Sequence, residues 1–118
     1  MKILSLALIT LVISHTSAKA DFTQVKTEDE FRNSIVEKVI ASSSCDPLIS
    51  HSDGTITGVC NGKKLTGSWK WSDGLWCRDI KLGDKKYKID CQKYEIDGRT
   101  VRVTAKKGKG KKTIYKIK

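Results

Sequence analysis

The sequence predicts a mainly β domain: an N-terminal amphipathic helix followed by a small antiparallel up-and-down β-sheet or barrel, stapled by two disulfides. Three observations lead there. A helical apolar stripe runs through Thr27–Ser42. After Pro47 the chain breaks into short β-prone runs separated by "SDG", "NGKK", "SDG", "LGDKK", "DG" and "GKGKK", at the roughly 8–12 residue spacing of an all-β meander. The cysteines, Cys45, Cys60, Cys77 and Cys91, are even in number and follow an export signal.

That signal is expected over residues 1–20. Lys2 supplies the positive start, "ILSLALITLVI" (Ile3–Ile13) the apolar run, and "AKA" (Ala18–Ala20) the small-residue cleavage site. The run is too short to cross a bilayer, which takes about 20 residues. A chain that is not membrane-spanning, periplasmic or secreted, is therefore expected, with one domain over 21–118. In an oxidising compartment the cysteines read as disulfides. Zinc finds no C-x-x-C pair and a single histidine, His51, after the leader, so no metal is expected.

The helix is expected over about 27–42. Thr27 and Glu30 have capping-box spacing, and Glu28 and Asp29 suit the positive end of the helix dipole. Phe31, Ile35 and Val39 fall on one face, with Val36 and Ile40 widening it. Such a stripe must cover a sheet.

Strands are expected near 48–52, 54–60, 63–71, 75–82, 86–96, 99–106 and 112–118. A two-residue turn at Asn61-Gly62 sets Ile56 against Gly67, Gly58 against Leu65 and Gly54 against Trp69. Asp73-Gly74 sets Trp71 against Trp76 and Trp69 against Arg78. A loop centred on Asp84 brings Cys77 to Cys91 and Arg78 to Asp90. Asp97-Gly98 sets Gln92 against Val103 and Tyr94 against Val101, and the "GKGKK" turn sets Val103 against Tyr115.

Side chains alternate along strands, so these pairs share a face. It reads Ile56, Leu65, Trp69, Trp71, Trp76, Ile80, Tyr94, Val101, Val103, Tyr115 and Ile117, with Arg78, Asp90 and Gln92 among them. The other face takes Cys77, Cys91, Tyr87, Ile89, Lys93, Glu95, Arg102 and Thr104. One consistent apolar face suggests a sheet curled into a barrel. The register pairs Cys77 with Cys91, leaving Cys45 for Cys60, although two other connectivities remain open.

The candidate ligand-binding residues are the aromatic walls Trp69, Trp71 and Trp76, the charged pair Arg78 and Asp90, and Gln92. Plain core packing of the tryptophans and a register-holding Arg–Asp pair is the competing account. Residues 21–118 carry a net charge of +8, since Lys2 and Lys19 fall in the leader. From Gly98 onward every charged side chain is Lys or Arg. Lys106, Lys107, Lys109, Lys111 and Lys112 are thus candidates for anion binding, with lipopolysaccharide, an acidic glycan or nucleic acid as partner. Lysines that merely keep edge strands from pairing are the alternative.

Catalytic signatures are sparse. No serine or cysteine has a register that brings it to His51. "KGKGKKT" lacks the first glycine and the Ser or Thr of a phosphate loop, and no G-x-G-x-x-G occurs, so no cofactor is expected. Asp73, Asp79 and Asp90 lie near the tryptophans, but nothing selects two of them for glycan hydrolysis. The expected role is a small, non-catalytic binding or interaction protein of the cell envelope. Its ligand is a small polar or anionic molecule or a partner's surface; anionic-polymer binding is the alternative.

"DGTITG", "GSWKWSDGLWCR" and "DCQ" together resemble a group of small exported α-proteobacterial proteins. That group shares Gly-x-Trp-x-Trp, an acidic-Gly turn, an aromatic-Cys-Arg and a later Asp-Cys-Gln. The match covers most of residues 21–118, and WCR…DCQ is its more specific part. The resemblance implies no established function. Some members carry the label dihydrodipicolinate reductase, which implies a dinucleotide-binding domain. Residues 21–118 hold no glycine fingerprint for one, and the activity is not carried over. Cys45 and Cys60 depart from the group pattern, consistent with their bonding to each other.

Overall fold

A computed structural model describes residues 7, 9–11 and 20–118, and the expected leader otherwise lies outside the described residues. The strands are β1 (Thr23–Gln24), β2 (Ile40–Ala41), β3 (Cys45–Ser50), β4 (Thr55–Cys60), β5 (Lys63–Ser72), β6 (Leu75–Leu82), β7 (Lys85–Lys86), β8 (Asp90–Asp97), β9 (Thr100–Thr104) and β10 (Lys112–Ile117). Helix α1 (Glu28–Ser34) precedes β2, and a helical turn, α2 (Ala105–Gly108), joins β9 to β10.

The order β8-β9-β10-β2-β3-β4-β5-β6, with β6 returning to β8, closes an antiparallel up-and-down barrel of eight strands. The closing seam is short: Trp76↔Gln92, Cys77↔Cys91 and Arg78↔Asp90. Beyond it β1 takes the free edge of β8 at one end and β7 takes that of β6 at the other. Disulfide Cys77–Cys91 occupies the middle rung, and Cys45–Cys60 ties β3 to β4 beside the two-residue strand β2.

The β4–β5 and β5–β6 registers are as expected, including Ile56 opposite Gly67 and Trp71 opposite Trp76. Asn61-Gly62 and Asp73-Gly74 both have positive φ at each turn residue, as the type I′ hairpin requires. Gly67 also lets the strands approach: a Cβ there would lie 2.2 Å from the Asp79 carbonyl oxygen.

Two registers differ from expectation by two residues. Tyr94 pairs with Val103 and Ile96 with Val101, because the turn residues are Gly98-Arg99 rather than Asp97-Gly98. Gly98 takes the positive φ of the first turn position, while Asp97 stays in the strand and accepts from the Asp21 amide. Likewise Thr113, not Tyr115, opposes Val103. A shift of two preserves the faces, so the core is unchanged. A one-residue irregularity between β7 and β8 does move a side chain. Tyr87 donates its amide to Ile80, which places it on the interior face instead of the outer one, and Ile89 stays outside.

The helix is shorter than expected. It ends at Ser34, and Ile40–Ala41 pairs with β10 and β3. Closure needs a strand there, and that pairing overrides the helical period that ran on through Val39 and Ile40. The start is as expected: Thr27 Oγ1 accepts from the Glu30 amide, and Glu30 accepts from the Lys26 amide.

Phe31, fully buried, plugs one end of the barrel. Its ring stacks on Trp71 and meets Trp69 and Tyr94 edge-on, all at 5.1 Å between centroids. This closed end also holds the β5–β6 turn; the β4–β5 and β6–β7 turns and α2 lie at the opposite, open end.

On the outer wall Arg102 donates twice to Glu95, at 3.0 and 2.9 Å, and covers the ring of Phe22. That bond holds the Glu95 carboxyl below its ordinary range. Amide donation from Ser52, with His51 adding, does the same for Glu37, and Thr55 does so for Asp53.

Three expectations follow. Replacing Cys77 and Cys91 by Ser removes the middle rung's staple and should lower stability by about 3 kcal/mol in urea unfolding. Phe31→Ala should cost about 3–5 kcal/mol, with near-ultraviolet circular dichroism of the tryptophans lost before the far-ultraviolet signal. Carboxyls depressed in the fold stabilise it above their unfolded pKa, and that stability fades as pH falls through the folded one. The urea midpoint should thus stay level from pH 7 to 5 and fall below about pH 4.3. Glu95→Gln should flatten part of that fall.

Candidate functional site

Plugging one end leaves a cavity of about 230 Å³ toward the other. Trp76 and Tyr94 form its floor against the Phe31 cluster, their rings 5.3 Å apart. Leu48, Ile56, Leu65, Ile80 and Leu82 line its walls with disulfide Cys45–Cys60. Tyr87 and exposed Asn61 lie toward the mouth. Besides these two, its polar side chains are Arg78, Gln92, Tyr94 and Tyr115 together with the Trp76 indole.

Two of these polar groups stand out. The Trp76 Nε1–H and the Tyr94 hydroxyl are buried with no hydrogen-bond partner. Buried polar groups are nearly always paired, because an unmet donor costs about 1–3 kcal/mol. Both residues line the same cavity. Thr104 Oγ1, the remaining such atom among the described residues, belongs to no residue of that lining.

Burial pushes the Tyr94 hydroxyl well above its ordinary range, Tyr115 adds to this, and Arg78 opposes it. Burial raises Tyr115 as well, against a bond from Ser42 and the charge of Arg78. Both phenols are therefore neutral O–H groups at physiological pH. Arg78 uses Nη1 to hold the Lys88 carbonyl oxygen at 2.8 Å, across the gap between β6 and the segment entering β8. A guanidinium carries five N–H donors, so others remain for the cavity.

The expected six-residue set thus divides. Trp69 and Trp71 belong to the closed end: Trp69 Nε1 donates to the His51 carbonyl oxygen, Arg32 lies over its ring at 5.0 Å, and Trp71 stacks on Phe31. Trp76, Arg78 and Gln92 line the cavity. Asp90 faces Arg78 in register but does not bond to it. Its carboxylate accepts from Gln92 Nε2 at 2.8 Å and from the Lys106 amide at 3.2 Å, tying the basic turn to β8. The expected Arg–Asp pair is corrected to two separate anchors. Alternation marks Tyr94 and Tyr115 as inward and cannot show that space remains beside them.

The five candidate lysines, Lys106, Lys107, Lys109, Lys111 and Lys112, are all exposed on or beside the β9–β10 connection. Lys106 and Lys107 have positive φ, and the loop closes through Ala105 N–H to the Lys111 carbonyl oxygen.

A hydroxyl does reach His51, though it is a threonine's. Nε2 lies 2.7 Å from Thr57 Oγ1 and Nδ1 3.2 Å from Glu37 Oε2. The carboxylate comes from the turn after α1, which only folding brings alongside. Thr57 is exposed on the outer wall, and neither the barrel cavity nor the two shallow wall clefts includes these residues. Asp73 sits on the turn at the closed end and Asp90 at the open end, so they do not form a carboxylate pair.

No family model, curated protein or solved structure matches the chain.

Proposed function

We propose that this is an exported, non-catalytic binding protein whose barrel holds a small organic anion. The observation that supports this reading is the pair of unpartnered buried donors, Trp76 Nε1–H and Tyr94 O–H, lining one cavity with Arg78. All three groups can donate a hydrogen: the Trp76 N–H and Arg78 are donors only, the Tyr94 hydroxyl can donate or accept, and Arg78 is a permanent cation. Such a set fits a carboxylate, sulfonate or phosphate oxygen. The aliphatic walls fit an apolar body attached to it.

Size narrows the class. At roughly 30 Å³ of liquid volume per water, the cavity matches on the order of eight waters. That is below the ~300–1,000 Å³ of sites for drug-sized ligands, so the molecule is a small ring or a short chain. Export to the periplasm or beyond is part of the proposal, and the two disulfides are consistent with an oxidising compartment.

Benzoate and hexanoate should quench or shift tryptophan fluorescence, with benzyl alcohol at least tenfold weaker as the uncharged comparison. Arg78→Met should lower benzoate affinity by tenfold or more. Since Arg78 also holds Lys88, Tyr94→Phe provides a second variant that deletes only a hydroxyl; it should lose about tenfold or more with the melting temperature kept. Equal binding of acid and alcohol, or no loss in either variant, would remove the basis for an anion site.

A further inference from the structure

The exposed charge is uneven along the barrel axis. Around the closed end acids outnumber bases: Glu28, Asp29 and Glu30 of α1, Glu37, Asp53, Asp73 and half-buried Asp97 lie there with Lys26, Arg32, Lys38 and Arg99. The open-end connections carry Lys63 and Lys64, then Lys85, Lys86 and Lys88, then Lys106, Lys107, Lys109 and Lys111. These lysines are exposed. Among the described residues the lysines found in ion pairs are Lys93 and Lys118, outside these connections. Asp84 is the one acid within the three connections whose carboxylate is not bonded: Asp90 is held by Gln92 and Lys106.

Two aliphatic side chains, Ile89 and Val59, are exposed beside these connections. After residue 20 the exposed large hydrophobics are Ile89 at 66%, Ile114 at 46% and Val59 at 41%. Val59 pairs with Lys64 just below the β4–β5 turn, and Ile89 follows Lys88 where the chain enters β8. Ile114 sits further along, within β10. None of the three is aromatic.

We infer that the open end of the barrel docks on an anionic lipid bilayer, with the lysines against the headgroups and Ile89 and Val59 at the interface. A soluble polyanion would use the lysines and leave the aliphatic side chains without a role. Single-stranded nucleic acid gains its affinity from exposed aromatic platforms, and these exposed hydrophobics are all aliphatic. A bilayer surface takes both chemistries at once: each lysine near anionic lipid strengthens binding about fivefold, and apolar groups beside it enter the headgroup boundary. The acidic closed end faces away from the membrane in this orientation, which fixes the direction of docking. The inference goes beyond the cavity reading and does not rest on it.

The test is co-sedimentation of the protein, purified from its host, with vesicles of phosphatidylcholine alone or mixed about 7:3 with phosphatidylglycerol. Binding to the mixed vesicles should be at least tenfold tighter and should weaken steeply between about 50 and 300 mM salt. Substituting Lys64, Lys107 and Lys109 together by Gln should reduce it by about a hundredfold. Ile89→Ser should reduce it severalfold at constant charge while heparin affinity stays unchanged. Equal partition onto both vesicle types, or an unaffected triple variant, overturns the inference. If Ile89→Ser binds vesicles as wild type does, the surface is one for soluble polyanions, and bilayer docking is likewise overturned.

Discussion

The barrel depends on the seam between β6 and β8. Around the ring the other neighbours follow one another along the chain, except β10 and β2, which pair at Lys116↔Ala41 and Ile117↔Ile40. The seam has three rungs, and its middle rung is a covalent bond between Cys77 and Cys91. Above those rungs Arg78 reaches across to the Lys88 carbonyl oxygen. Without this closure the sheet would have two open edges and no enclosed space. The second place of thin pairing, around β2, lies beside the other disulfide. One staple therefore sits within a thin pairing and the other beside one.

Closure alone would give a tube; Phe31 makes it a cup. Its ring fills the space between Trp69, Trp71 and Tyr94, so the tryptophan-rich stretch serves two purposes. Trp69 and Trp71 are packing for the plug. Trp76, opposite Trp71, lies between plug and cavity and keeps its N–H without a partner. An eight-stranded barrel is just wide enough to be filled by its own side chains or to hold one small ligand. Here side chains fill one end, and the other keeps a cavity of about 230 Å³. The concentration of aromatic residues in one segment thus reflects the need to seal a barrel on one side only.

The same axis organises the charge. Acids cluster where α1 and the turns beside it cover the closed end, and lysines populate the connections that frame the mouth. Arg78 stands inside that mouth, so the field of the rim and the charge within have the same sign. A charged cleft with low-dielectric walls concentrates ions of opposite sign, which couples the rim's electrostatics to access from solvent.

Much of the fold is legible in the sequence. Strand alternation and turn dipeptides are local, and Asn61-Gly62 and Asp73-Gly74 state their φ requirements outright. From them came the inward face, the Cys77–Cys91 pairing and the partners of each tryptophan. Errors of two residues at Gly98 and in the β9–β10 connection left that face intact, because its period is also two. The sequence by itself therefore determined most of the inward side chains, Tyr87 excepted, and the register that sets Cys77 opposite Cys91. Tertiary structure alone decided that residues 40–41 close the ring as strand, that Asp90 bonds Gln92 and Lys106 instead of Arg78, and that Tyr94 and Trp76 border space. These outcomes depend on the shape of the whole ring: how far α1 enters it, and where its three-dimensional curvature leaves volume that no alternation of residues encodes.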